Sequence, residues 1–126
     1  GHLDFTLLER ELGRGSMALG VYFGRPSGIL LGCNDEQRER YLAPAIKGEK
    51  FDALAMTEPD AGSAVRGMKC QAKRDGGDWV VNGTKHFISH ANIADFVIVF
   101  IATGEEETPR GPKKLITCFL VDRLSY

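Results

Sequence analysis

The residues with the most chemical potential lie in one run, Ala55-Met56-Thr57-Glu58-Pro59-Asp60-Ala61-Gly62-Ser63. It begins like a strand and ends like a turn. Pro59 fixes its own φ and pushes Glu58 toward an extended conformation. Gly62 allows backbone to approach a ligand closely. Ser63 and the amides around Gly62 can donate hydrogen bonds to a phosphate, and Thr57, at the strand end, can aim a hydroxyl at a ring edge. The same residues also make a plain turn with local hydroxyl-to-backbone bonds, and spacing alone favours that reading. GxxxxGK[ST] and GxGxxG are both absent, so the run is neither a P-loop nor a Rossmann loop. His86 and His90 are four residues apart, but in a segment that reads as strand and turn they share no helical face and make a poor metal pair.

The rest of the composition narrows the class. The 126 residues are 43% hydrophobic and 26% charged, as in a soluble globular protein. A net charge of -1 gives no electrostatic case for nucleic acid or an anionic membrane. Three cysteines without a CxxC pair argue against a disulfide framework and for buried free thiols in a reducing compartment. The apolar run from Phe96 to Ala102 is far shorter than the ~20 residues a membrane helix needs. No signal peptide is apparent.

Two periodicities place these residues. Leu3, Leu7, Leu8 and Leu12 recur at helical spacing, and Gly13 and Gly15 supply a stop. From Ser16 to Gly32 the pattern suggests a helix, a kink at Arg25-Pro26 and a second buried helical stretch. Asn34 can N-cap the next helix, with Gln37 at the capping-box position. That helix carries Tyr41 and Leu42 and is expected to stop before Pro44, with a short continuation to Gly48.

Strands follow. Met68 to Arg74 and Trp79 to Asn82 read as a hairpin about Asp75-Gly76-Gly77-Asp78, with Gly83 breaking or bulging the return. Lys85 to Ser89 reads as a further strand. Phe96 to Ala102 reads as a strand covered on both faces, 103–114 as a polar loop, and Leu115 to Asp122 as the last strand. Helices followed by a β-meander make an α+β chain: a helical segment, then an antiparallel, barrel-like sheet that is incomplete as it stands. An apolar strand so close to the last residue suggests a truncation.

With the elements in place, the run at Ala55–Ser63 resembles the flavin-binding signature of acyl-CoA dehydrogenases, x-T-E-P-x-A-G-S-D. "VNGTKHFIS", Val81 to Ser89, is similar to that family's N-G-x-K-x-(W/F)-I-(T/S) segment. Upstream, "NDEQRERYLAPAIKGEKFDALAMTEP" resembles the helix that leads into the flavin strand. The closing "KKLITCFLVDR" is similar to a later strand of the same middle domain. Three ordered motifs are far more specific than one.

The resemblance implies FAD as cofactor and α,β-oxidation of an acyl-CoA thioester. A carboxylate removes the α-proton, and hydride passes from the β carbon to the flavin. Carried onto this sequence, Leu54, Met56 and Thr57 line the flavin. Gly62 and Ser63 serve the FAD pyrophosphate or the acyl-CoA. Phe87 packs on the flavin face, and Ile88 and Ser89 pass along its edge. Read without the resemblance, Phe87 is a core aromatic in a strand. The resemblance also implies electron-transfer flavoprotein as electron acceptor and a homo-oligomer. The location it implies is the cytoplasm if the protein is bacterial and the mitochondrial matrix if it is eukaryotic. Residues 1–50 correspond to the end of an N-terminal helical domain and 51–126 to part of the middle β-domain.

Four departures matter. Ala64 stands where the pattern has Asp, which removes a loop-capping carboxylate. Phe87 replaces the more usual Trp, and Ser89 the commoner Thr. His90 stands where Gly or Asn often occurs and is strained if that site needs positive φ. The family's catalytic Glu belongs to a later helical domain, so no catalytic residue is assigned here. Glu58, beside Pro59 in the flavin loop, takes a structural role and not that of general base. A non-catalytic flavin-binding module, and an acyl-CoA oxidase or flavin monooxygenase relative, are the alternatives.

Overall fold

The computed structural model describes residues 1–16 and 26–123. It divides into two units, Gly1–Ile46 and Lys47–Tyr126. In the first, the leucine spacing forms α1, His2–Gly15. None of its residues is buried, and Leu3 and Leu8 are more than half exposed. The helix, kink and helix expected from Ser16 to Gly32 lie mostly outside the described residues. What is described is a 3-10 helix, Gly28–Gly32, with Leu30 fully buried.

The next helix, α2, starts as expected. Asn34 Oδ1 accepts from the Gln37 amide at 2.8 Å, and Gln37 Oε1 accepts from the Asn34 amide at 3.1 Å, a complete capping box. The helix does not stop before Pro44. It runs as an α turn at Asp35–Gln37, a π turn at Arg38–Leu42 and a further α turn at Ala43–Ile46. A proline ring collides with the i−4 carbonyl of a regular α-helix. The π turn just before it hands carbonyls to donors five residues on, with Ala43 N–H bonding to the Arg38 oxygen, and the collision is relieved.

The second unit is one open, mixed sheet of five strands: β1 Asp52–Ala55, β2 Gln71–Asp75, β3 Asp78–Asn82, β4 Phe96–Thr108 and β5 Gly111–Asp122. The α+β class holds. The sheet itself is neither closed nor wholly antiparallel, because β4 takes two parallel neighbours. β1 pairs with its first residues, Asp52 opposite Phe96 through Ala55 opposite Val99. β2 meets it further on, at Gln71 opposite Ala102. β5 runs antiparallel to β4. Over residues 96–102 both faces of β4 are buried or half-buried, which favours a continuously apolar run. Phe96 and Ile98 are fully buried and Ile101 is 1% exposed. Cys70, Ala72 and Ile101 pack with Trp79 and Phe119, whose rings meet edge-on at 5.5 Å.

The β2–β3 hairpin forms as expected, closed at Asp75 opposite Asp78 with Gly76 at φ +59. Three expectations are corrected. Lys85 to Ser89 is not a strand: it is irregular, and Phe87 has φ +57. The stretch 103–114 is not a loop. β4 and β5 continue through it as a hairpin turning at Pro109-Arg110, with Gly104 opposite Leu115 and Thr108 opposite Gly111. Its charges look like a solvated loop in one dimension. Across the ladder they oppose each other, Glu105 facing Lys114 and Glu106 facing Lys113, and opposite-charge cross-strand pairs stabilise a sheet. Lastly, Cys33 and Cys70 are buried thiols, but Cys118 is exposed. Among the described residues no helix is long and apolar enough to cross a membrane.

Candidate functional site

β1 delivers the chain to Met56 and Thr57, both half-buried. A tight turn follows at once. Glu58 N–H donates to the Ala61 oxygen at 3.0 Å and Ala61 N–H to the Glu58 oxygen at 3.2 Å, with Pro59 and Asp60 at the tip. Asp60 accepts from Lys69 Nζ at 2.7 Å in an exposed pair that holds the turn from outside. Gly62, Ser63 and Ala64 come next and are exposed.

Ala64 is the N-cap of the 3-10 helix Val65–Gly67, and no side chain caps that end. An aspartate there has a free amide end to accept from, and N-cap carboxylates contribute about 0.5–2 kcal/mol. Ala64→Asp is therefore expected to raise the denaturation midpoint of the full-length protein. An unchanged or lowered midpoint would show that the turn cannot use a cap.

Among the described residues of this unit, Glu58 is the buried charged one, 4% exposed. Its carboxylate accepts from Lys85 Nζ at 2.7 Å and from the Cys70 amide at 3.2 Å. The Lys69 amide donates to it as well. Burial alone pushes such a carboxyl up. The Lys85 ammonium and the two amides outweigh it and bring Glu58 down to about 2. The Cys70 thiol is pushed up, first by its burial and then by its hydrogen bond to Glu58.

Lys85 does more than neutralise Glu58. Its Nζ also donates to the Met56 oxygen at 3.0 Å. The next amide, His86 N–H, donates to the Thr57 oxygen at 2.9 Å. The segment before Phe87 is thus laid along 56–58. Phe87 itself is 83% exposed and left-handed at φ +57. The His86 ring lies 3.5 Å from it, tilted by 30°. His86 Nδ1 is buried and has no hydrogen-bond partner. His90 is left-handed too, φ +64, so the condition under which a histidine here is strained is met. Its ring meets Phe51 edge-on at 5.1 Å. Bulky residues at positive φ cost of order 1–3 kcal/mol and persist where the surroundings over-determine them, commonly at functional sites.

The positions singled out from the sequence fall as follows. Leu54 is 44% exposed, between the buried Ala53 and Ala55. Thr57 and Phe87 are brought together through the His86 amide. Ile88 is half-buried and Ser89 exposed. These bonds do not reach Gly62 or Ser63, which follow the turn on the exposed side of the chain. Sequence reasoning missed Lys85. Nothing in its neighbours declares that this lysine is buried beside a carboxylate 27 residues away.

Comparison with known proteins bears on this arrangement. The family model for the acyl-CoA dehydrogenase middle domain matches residues 53–125. The chain is similar to a 3-(aryl)acrylate reductase of Clostridium sporogenes, 40% identical over 122 residues, covering 93% of this chain and 31% of the relative. It is similar also to a mitochondrial isovaleryl-CoA dehydrogenase of Pongo abelii, 36% identical over 128 residues, covering 98% and 30%. A solved structure, an FAD complex of PigA, matches with a TM-score of 0.62 at 33% identity, over 71% of this chain and 22% of that one. The chain spans about a third of the length of these curated relatives. With the family match running over more than half of its residues, the chain belongs to the acyl-CoA dehydrogenase family.

Proposed function

We propose that this chain supplies the flavin-facing part of an FAD-dependent enzyme that oxidises an acyl-CoA thioester between its α and β carbons. One observation carries the reading: an 83% exposed phenylalanine ring held in a strained left-handed backbone beside Thr57. Neither its exposure nor its strain is stabilising by itself. A planar ring covering Phe87 supplies the compensation. The fit extends to the neighbours. Leu54 and Ile88 offer apolar contact, and Met56, Thr57 and Ser89 sit beside the same segments. At Gly62 an added Cβ meets nothing within 4 Å, so the turn leaves room for a phosphate held by Gly62 and Ser63.

When bound, FAD accepts the hydride from the substrate's β carbon. The residues of this chain orient and cover the ring. They do not take the α-proton. Glu58 is buried, committed to three donors and held near 2, so it has neither the access nor the basicity of a general base. We assign that base to a carboxylate outside this chain. Residues 1–50 are assigned to the end of an N-terminal helical domain. Electron-transfer flavoprotein is the proposed acceptor, a homotetramer the assembly, and fatty-acid β-oxidation the setting. Membership of the family supports each of these.

The first experiment is to purify the full-length parent, look for bound flavin and titrate it with acyl-CoA. Bleaching of the flavin is expected. A colourless protein that cannot take up FAD ends the reading. Rapid oxidation of the reduced protein by oxygen instead of electron-transfer flavoprotein would mark an oxidase.

Phe87→Gly gives a second test with opposite signs. Glycine relieves the positive φ, so the apoprotein should be no less stable than the parent. Loss of the ring should weaken FAD binding roughly tenfold, the equivalent of ~1.4 kcal/mol. Flavin fluorescence titration and thermal denaturation of the apoprotein measure the two. Unchanged FAD affinity would return Phe87 to the status of an ordinary surface aromatic.

A further inference from the structure

We propose that Lys85 and Glu58 are cofactor-positioning residues: a buried ion pair that sets the spacing between Thr57 on one flavin-facing segment and Phe87 on the other. The role rests on the flavin reading above but concerns residues to which that reading gives no contact with the ring.

The geometry is the argument. Residues 85 and 86 hold three consecutive residues of the other segment. Lys85 Nζ takes the Met56 oxygen at 3.0 Å and Glu58 Oε1 at 2.7 Å, and His86 N–H takes the Thr57 oxygen at 2.9 Å. Thr57 is therefore bracketed by the two acceptors of a single ammonium. Glu58 in turn is not free to follow Lys85. The amides of Lys69 and Cys70 fix its carboxylate from the side of the sheet. From the residues that lead into β2, through Glu58, to Lys85 the hydrogen bonds are continuous, and Phe87 follows two residues later. That anchor is what can hold Phe87 at φ +57 with its ring in solvent. A buried ion pair adds little net stability over an apolar pair of the same size. What an apolar pair cannot do is bond the Met56 oxygen and orient the peptide that follows.

Stability and positioning can be separated in the full-length holoenzyme. The double variant Glu58→Gln/Lys85→Met leaves no unpaired buried charge. The glutamine oxygen still accepts from the Lys69 and Cys70 amides, while the bond to the Met56 oxygen is gone. The expected result is a melting temperature close to wild type, at least tenfold weaker FAD binding, an altered visible circular dichroism of the bound flavin, and faster hydrogen exchange of the His86 amide in the apoprotein. A merely structural pair predicts otherwise. Once the melting temperature is restored, FAD affinity and the flavin spectrum should return to wild type, and that result overturns the proposal whatever the exchange rate. If the double variant does not fold, Lys85→Arg decides. It keeps the charge pair but not the geometry of one small ammonium between two acceptors. Weaker FAD binding at an unchanged melting temperature supports the positioning role, and unchanged binding overturns it. A wild-type protein that takes up no FAD ends the flavin reading and this role together, which is distinguishable from a wild type that binds FAD and variants that bind it equally well.

Discussion

Gly83→Ala in the full-length parent is expected to lower stability by roughly 2–6 kcal/mol, enough to remove most soluble protein at 37 °C. An overpacking cost of about 1–3 kcal/mol adds to a similar cost for a side chain at φ +141. Their sum compares with a usual net stability of ~5–15 kcal/mol. The clash is specific. A Cβ on Gly83 meets Cys70 Sγ at 2.3 Å, Cys70 Cα at 2.7 Å and Cys70 Cβ at 2.8 Å. A new Cys70 rotamer moves only the first of these. Nor can the Cys70 backbone retreat, because its N–H is bonded to Glu58 and its oxygen accepts from Ala102 N–H at 3.1 Å. The close approach follows from the hairpin: Gln71 pairs with Asn82, and the next step of the ladder sets Cys70 against Gly83. Cys70→Ala should therefore fail to rescue Gly83→Ala. Soluble yield and urea denaturation check both variants. A Gly83→Ala protein with the wild-type midpoint would mean that the two strands separate here at little cost.

Acidification should expose the second large effect. Glu58 lies near 2 when folded, against an ordinary 4.5. A depressed carboxylate contributes stability above its unfolded pKa and loses it as pH falls through the folded one. The window thus opens at about pH 4.5 and closes near pH 2, and the contribution is roughly 3 kcal/mol. Glu58→Gln should flatten the stability curve across that window. Lys85→Met acts through the same carboxyl. Without the ammonium, burial raises Glu58 back toward its unfolded value, so less stability is lost on acidification. At neutral pH the unpaired carboxylate costs about 3–5 kcal/mol. Urea denaturation between pH 2 and pH 7 measures all three proteins. Parallel curves for wild type and Glu58→Gln would show that other carboxyls, not this one, govern acid stability.

The elements legible in the sequence are those whose determining bonds are local. Asn34 and Gln37 satisfy each other's amides within one turn of α2. Gly76 turns the β2–β3 hairpin by its own φ. The apolar run beginning at Phe96 announced a buried strand, and β4 starts there. His90 stands where glycine or asparagine often occurs, which raised the question of positive φ, and the residue is left-handed. The family was legible for a different reason: several motifs occur in order, and each restricts the others.

The misreadings are equally physical. Pro44 looked like a stop because a lone proline in a regular helix is one. The π turn that admits it depends on the carbonyls before it. Glu105 and Glu106 looked solvated because their partners, Lys114 and Lys113, are invisible until the strands are paired. Phe87 looked like a strand residue because aromatic residues favour strands, and nothing local declared its positive φ.

By itself, then, the sequence determined the caps, the short turns, the buried strand and the family, through bonds and patterns that span few residues or recur in fixed order. The tertiary structure decided the sheet's parallel pairings, the contact that forbids a side chain at Gly83, and the pairing of Glu58 with a lysine 27 residues away. Those depend on which segments burial brings side by side. A buried carboxylate must find its counter-charge wherever packing places one, and chain separation carries no information about where that will be.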